Sequence, residues 1–236
     1  MTRTRFALLI LSAALLAGLA GCDLFGFRTY EWHQKITVIV DTPDGPVSGS
    51  AVSAVTLSVS PKWFGLGDVS GAAVGKLAGE AVVVEVLKGR YLFALLRQYD
   101  HQTALEAFGS PRQKVLSSDE VRSEFARLEK LRGERVLSSD HYPDLATIDD
   151  LGNPASINEV DPRHLDLVFG PGVRLKAITI SLTDDPVTKG NVEAVLGPDF
   201  FKKWSVQMKE DFKKNGPFVQ PPFAFQISPN DFVTRN

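Results

Sequence analysis

The chain has one cysteine, Cys22, so whatever it folds into is held without an internal disulfide. Cys22 stands directly behind a leader in which Arg3 and Arg5 precede an apolar run from Phe6 to Ala20 broken in polarity only by Ser12. A charged head, an apolar middle and a small-residue exit are the layout of an export signal. A permanent span needs about 20 apolar residues, and this run is shorter. Exported proteins commonly use disulfides, but one thiol has nothing to pair with inside the chain. Stability must come from packing alone. Taking the 21 leader residues from 236 leaves 215, enough for one sizeable core or two small ones.

Leu19-Ala20-Gly21-Cys22 resembles the lipobox of bacterial lipoproteins, in which a Leu and two small residues precede the cysteine. The resemblance implies that residues 1–21 are a signal peptide removed before Cys22. It also implies that Cys22 receives a diacylglycerol thioether and that the new N-terminus is acylated. The membrane partner would then be a bilayer of the bacterial cell envelope, with the body facing the periplasm. Two or more acyl chains give a stable tether, whereas one holds marginally, at about 0.8 kcal/mol per buried methylene. Asp23 resembles the residue that retains enteric lipoproteins in the inner membrane, a rule that varies between bacterial groups, so inner and outer membrane both stay open.

Without Arg3 and Arg5 the 26 basic residues become 24 against 28 acidic ones, a net charge of −4. Nucleic-acid binding calls for a basic surface, so no such partner is expected. With 44% hydrophobic residues the composition is that of a folded chain.

Residues 22–34 read as a tether carrying Phe25, Phe27, Tyr30 and Trp32. These aromatics suit a headgroup layer, but the favoured reading has Trp32 open the first strand and pack. Residues 35–97 are β-rich, with strands at Ile36–Val40, Ala51–Ser60, Glu80–Leu87 and Arg90–Leu96. Their turns, Asp41–Pro46 and Lys88-Gly89, are short, so the strands are predicted antiparallel. The string Thr42–Gly49 resembles the opening of small immunoglobulin-like or transthyretin-like sandwich modules, which would imply a sandwich here.

Residues 98–160 form a helical and irregular insertion. A short helix is expected near Gln102–Phe108. A second follows a capping box of Ser117 and Glu120 and repeats Val121, Phe125, Leu128 and Leu131 on one face. From Arg135 to Val160 the chain is polar and turn-rich. In residues 161–236, Asp161-Pro162 begins a short helix ended by Gly170-Pro171-Gly172. Val173–Leu182 alternates as a strand, and Asp199–Lys214 is a helix with Phe201, Trp204, Met208 and Phe212 on one stripe, stopped by Asn215-Gly216-Pro217. An extended tail follows, with a late strand around Phe223, Phe225 and Ile227. The predicted fold class is α+β: an antiparallel sandwich-like sheet with two amphipathic helices packed on it. Asp161–Thr188, with its Phe169-Gly170-Pro171-Gly172 and Thr183-Asp184-Asp185-Pro186-Val187-Thr188 strings, resembles segments of uncharacterised proteobacterial envelope proteins, a likeness that implies no activity.

Chemistry-bearing motifs are sparse. Gly65-Leu66-Gly67-Asp68-Val69-Ser70-Gly71 misses the dinucleotide spacing by one residue. Gly71–Leu77 is one residue too tight for a phosphate loop, and Leu77 stands where the magnesium hydroxyl is needed. His33, His101, His141 and His164 are scattered, without the i, i+4 spacing that puts two imidazoles on one helical face. Asp184-Asp185, Asp149-Asp150 and Asp41 with Asp44 supply too few oxygens for a calcium loop and read as turn residues. No catalytic residue, metal ligand or cofactor is expected. The Asp199–Lys214 stripe suits an interfacial helix lying on a membrane, but its residue types favour core.

The expected role is therefore a membrane-anchored binding or scaffold protein with an envelope protein partner. Its candidate surfaces are the Gly65–Gly75 loop and the proline-rich tail. Two alternatives stay open. One is an envelope enzyme or metal-binding protein using Asp140, His141 and Asp144; the other is a purely structural lipoprotein.

Overall fold

Two 15-residue strands, β1 (Arg28–Thr42) and β2 (Gly45–Val59), form a long hairpin around Pro43-Asp44. Gly45 sits at φ +119° there, a conformation other residues resist. The computed structural model describes residues 26–61, 63, 73–97, 101–109, 118–216 and 221–235. The leader, Leu19, Ala20, Gly21, Cys22, the Ser117 cap and the Gly65–Gly71 motif lie outside them.

Along β1 the even positions Tyr30, Trp32, Ile36, Val38 and Val40 are buried, and Glu31, His33, Lys35 and Thr37 lie on the opposite face. Period-two alternation does this work. Two aromatics read as tether residues are thus core residues of a strand that starts at Arg28 and not near residue 35. Trp32 packs, as favoured from the sequence.

β3 (Ala73–Glu80) pairs with β2, and after Ala81 alone the chain continues as β4 (Val82–Leu87) in a second sheet. The run expected as one strand from Glu80 is therefore the point where the chain changes sheets. β5 (Arg90–Ala94) returns antiparallel to β4. Helices α1 (His101–Phe108) and α2 (Ser118–Lys130) follow. Phe125 and Leu128 of α2 are buried, with Val121 and Leu131 at the margin, as the stripe requires.

The stretch read as irregular contains three four-residue strands, β6 (Gly133–Val136), β7 (Leu145–Ile148) and β8 (Ile157–Val160). Helix α3 (Leu165–Phe169) begins later than Asp161-Pro162, because the Asp161 carboxylate is used on the Arg163 amide and guanidinium and does not cap a helix. β9 (Arg174–Thr183) pairs with β1 and β6. Helices α4 (Asn191–Leu196), α5 (Phe200–Asn215) and α6 (Phe223–Gln226) precede a two-residue strand, β10 (Val233–Thr234). The tail is thus no extended arm. Phe223 to Gln226 coils into a helical turn, and Ala224, Ile227 and Phe232 are buried; the late strand exists, but nearer the end of the chain.

The fold is α+β. A six-stranded antiparallel sheet, ordered β10-β3-β2-β1-β9-β6, faces a four-stranded one, β4-β5-β7-β8. One core fills the space between the sheets, with Val84, Leu92 and Leu145 meeting Trp32, Val38, Leu57 and Ile178, and α2 closing its side through Phe125. A second core lies on the far side of the small sheet, where Phe93, Ala146 and Ile157 meet Phe200 and Trp204 of α5 and Phe232. The small sheet is therefore a middle layer, and among the described residues neither core lies on the outer face of the large sheet. The sheets touch closely at Gly49, where a Cβ would come within 2.0 Å of the Val83 carbonyl oxygen.

Candidate functional site

On the outer face of the large sheet lies a cleft of about 700 Å³. Its floor is shallow-sided because Ala54, Ala78 and Gly79 are small. Glu31 and His33 rise from β1 on one side, the 187–190 segment and Glu193 form a wall, and Val233–Arg235 form the opposite lip.

The wall follows from the sheet change at Ala81. Where β3 departs, Val52 of β2 loses its neighbour, and Thr188 takes both groups: its amide donates to the Val52 carbonyl (3.0 Å) and its Oγ1 accepts from the Val52 amide (2.8 Å). The Asp184-Asp185-Pro186 turn is pinned on both sides. Thr183 Oγ1 accepts from the Asp185 amide at 3.1 Å, and the Asp184 carboxylate pairs with Arg132. That guanidinium holds Asp184 below the ordinary carboxylate range. The Asp185 carboxylate meets Lys35 at 3.4 Å, and its carbonyl accepts from His33 Nδ1 at 2.7 Å. With Nδ1 donating, Nε2 of a neutral His33 is left as an acceptor.

Glu80 locks the wall. It is 3% exposed, and its two carboxylate oxygens accept from the amides of Gly190 (2.8 Å) and Asn191 (2.9 Å) at the start of α4. These are orphan donors of a helix N-terminus, and a negative charge is favoured beside them. The lip is fixed by the last core residue: Ala81 donates to the Phe232 carbonyl at 2.7 Å, and Arg235 reaches Glu193 at 3.7 Å. Among the described residues, β3 has a strand on its outer side only at Gly79 and Glu80, where Thr234 and Val233 of β10 pair with it.

Asp140, His141 and Asp144 do not form a site together. His141 lies on a 3₁₀ turn with Nδ1 2.8 Å from Ser138 Oγ and Nε2 3.0 Å from a Glu106 carboxylate oxygen. Asp144 lies 3.7 Å from Arg97, and Asp140 accepts from Ser139 Oγ at 3.4 Å. Each carboxylate has a different neighbour. Among the described residues no group of three His, Cys, Asp or Glu side chains is placed to hold a metal ion. Of the glycine-rich surface, Gly75 belongs to β3, where a Cβ would meet His101 Nδ1 at 3.0 Å. Asp149-Asp150 serves turn chemistry as expected, Asp150 accepting from the Gly152 amide at 2.8 Å. Asp41 instead binds Arg174 and Lys176 of β9, at 3.3 and 3.4 Å.

Sequence reading passed over Glu80 and His33 as cleft residues. His33 had one signal, its place on the polar face of an alternating strand. Glu80 stood at the edge of a valine run, and the amides it binds are 110 and 111 positions away.

Compared with protein-family models, curated proteins and solved structures, the chain matches none. No described helix is long and apolar enough to cross a membrane.

Proposed function

We propose that this chain is an exported, lipid-anchored binding protein of a bacterial cell envelope, which takes an extended segment of an envelope protein into the cleft and along the edge of β3. The address rests on the Leu19-Ala20-Gly21-Cys22 pattern. The binding role rests on one observation: the cleft opens beside a run of β3, residues 73–78, that carries no outer strand among the described residues. An incoming strand continues the short ladder begun by β10, its main chain paired with β3 and its end beside Ala78 entering the cleft, the mode of β-augmentation. Two polar groups of the cleft serve its architecture. Glu80 is spent on two amides and His33 Nδ1 on a carbonyl, so both hold the wall in place.

Confinement adds to affinity. Six residues from Cys22 to Arg28 reach at most about 20 Å, and His33 stands about 17 Å further along β1. A cleft held this near a bilayer meets membrane-associated partners at raised effective concentration.

The test is recovery from detergent-solubilised membranes after gentle crosslinking. Wild type is expected to bring down a stoichiometric envelope protein. Ala78→Arg, which fills the floor from the outer face, is expected to lose it by at least about tenfold while keeping its far-ultraviolet circular dichroism. Recovery of the chain alone, or an undiminished partner with Ala78→Arg, removes the binding role. The anchor is tested separately, by intact mass and by the loss of Cys22→Ser from the membrane fraction.

A further inference from the structure

The end of the large sheet that leads back to Cys22 carries an apolar tip. Arg28 pairs with Val59 and Val59 with Ala73, so the first residue of β1, the last of β2 and the first of β3 stand side by side. Just beyond them, Phe27 and Trp63 meet edge to face with ring centroids 5.8 Å apart. Trp63 is 65% exposed, and Val74, one residue into β3, is 61% exposed. The other two tryptophans, Trp32 and Trp204, are 3% and 1% exposed, in the two cores. Trp63 with Phe27 thus forms an exposed apolar edge at the sheet end.

Basic groups lie near this tip. Arg28 lies over the Tyr30 ring at 4.8 Å, and Lys76 is exposed on β3. Arg122 of α2 donates to the Gly26 carbonyl at 3.1 Å and to the Ser60 carbonyl at 2.8 Å, tying both chain segments of the tip to the helix. Glu31 shares a row of the sheet with Thr56 and Lys76, and Glu129 of α2 accepts from the Glu31 amide at 3.2 Å. A rigid Trp–Phe edge with Arg and Lys behind it is the chemistry of a membrane interface, where amphipathic rings sit at headgroup level and cations meet lipid phosphates.

We infer that the Phe27–Trp63–Val74 tip docks into the headgroup layer of the bilayer to which the chain is anchored. This reading rests on the anchored address proposed above. The occupant follows from chain length: Phe27 stands five positions after Cys22, about 17 Å when extended, so an acylated Cys22 keeps the tip within that distance of the lipid surface. Docking turns a swivelling tether into a two-point attachment and sets β1 and β2 upright, with the cleft facing along the membrane.

The experiment uses full-length protein, purified from membranes and reconstituted in phosphatidylethanolamine–phosphatidylglycerol vesicles with and without brominated acyl chains. Bromine quenches tryptophan emission only at close range. Brominated lipid is expected to remove the Trp63 share of the emission, and Trp63→Phe, which keeps an apolar ring, is expected to abolish the loss. Val74→Glu is expected to weaken the quenching without releasing the protein. Protein that floats with the vesicles and is acylated by intact mass but keeps its full emission overturns the tip and leaves the anchor standing; so does quenching of that acylated protein that persists in Trp63→Phe. Protein that does not float and is unacylated by intact mass overturns the anchor, and with no quenching the tip falls too. An uncleaved leader also holds the chain on the vesicle, so the tip is read whether or not Cys22 is acylated.

Discussion

At the scale of single residues, the positions that matter most are those where the backbone has no room. Gly49 is one. A methyl group there would stand 2.0 Å from the Val83 carbonyl oxygen and 2.9 Å from its carbon, and both belong to the main chain of the facing sheet. Neither atom yields as a side-chain tip would. Gly49→Ala is expected to cost about 1–3 kcal/mol, the range for overpacking a filled interior. Chemical denaturation reads this as a lower midpoint with unchanged slope, and an unmoved midpoint would show that the sheets separate freely. Asp161 is a second case, of charge and not of space. Hydrogen bonds from the Arg163 guanidinium and amide lower its pKa from 3.8 to about 2. A depressed folded-state pKa means that this pairing favours the folded chain above the ordinary carboxylate range. The benefit is lost as pH falls from about 4 through about 2. The group is exposed, so the effect on stability is small and the titration itself is the better readout. Nuclear magnetic resonance of the Asp161 carboxyl is expected to give a midpoint near 2, and Arg163→Ala is expected to return it towards 3.8. Equal midpoints in the two proteins would mean that the pair does not form in solution.

At the scale of elements, legibility followed length and periodicity. β1, β2 and β9 are long and alternate, and α2 and α5 each carry a clear apolar stripe, so all five were readable, although β1 and β2 begin at Arg28 and Gly45, well before the expected Ile36 and Ala51. β6, β7 and β8 were not. Each has four residues, and Leu145-Ala146-Thr147-Ile148 is buried on both faces in the middle layer, which erases alternation. β3 hid because Gly75 and Gly79 sit where a strand former is expected. The tail misled for another reason: the period-two spacing of Phe223, Phe225 and Ile227 is real, but Pro222 and the bond from Phe225 N to the Pro222 carbonyl close a turn there. The cleft was illegible because its parts lie on β1, β2, β3, the 187–193 segment and the last residues, a set that only the sheet change at Ala81 brings together. Helix α5 separates the two uses a stripe can have. Trp204 is 1% exposed against Phe200 and Phe232, whereas Phe212, two turns on, is 58% exposed. Trp204→Ala is expected to cost about 3–5 kcal/mol and Phe212→Ala less than about 0.5. Thermal or denaturant melts of the two variants check this, and comparable losses would mean that the end of α5 is packed after all.

At the scale of the whole molecule, the middle sheet decides whether two cores make one folding unit. Adjacent residues of β5 serve different cores, Leu92 facing the large sheet and Phe93 facing α5, so neither core has a wall of its own there. Opening one removes the backing of the other. β3 and β4 add a covalent link, since one strand path runs through both sheets with only Ala81 between. A chain of this length without disulfides has no other means of coupling its layers than shared strands and contacts. The tryptophans report on this directly, Trp32 from between the sheets and Trp204 from beneath α5. In a variant with Trp63→Phe and Trp204→Phe, emission follows the first core; with Trp63→Phe and Trp32→Phe it follows the second. Within each variant the emission midpoint in urea is expected to coincide with the midpoint by far-ultraviolet circular dichroism, as a two-state transition requires. A Trp204 transition that precedes the loss of sheet signal would mean that α5 and the tail peel away while the two sheets stay together. The lip of the cleft, which hangs from Phe232, would then open and close with them.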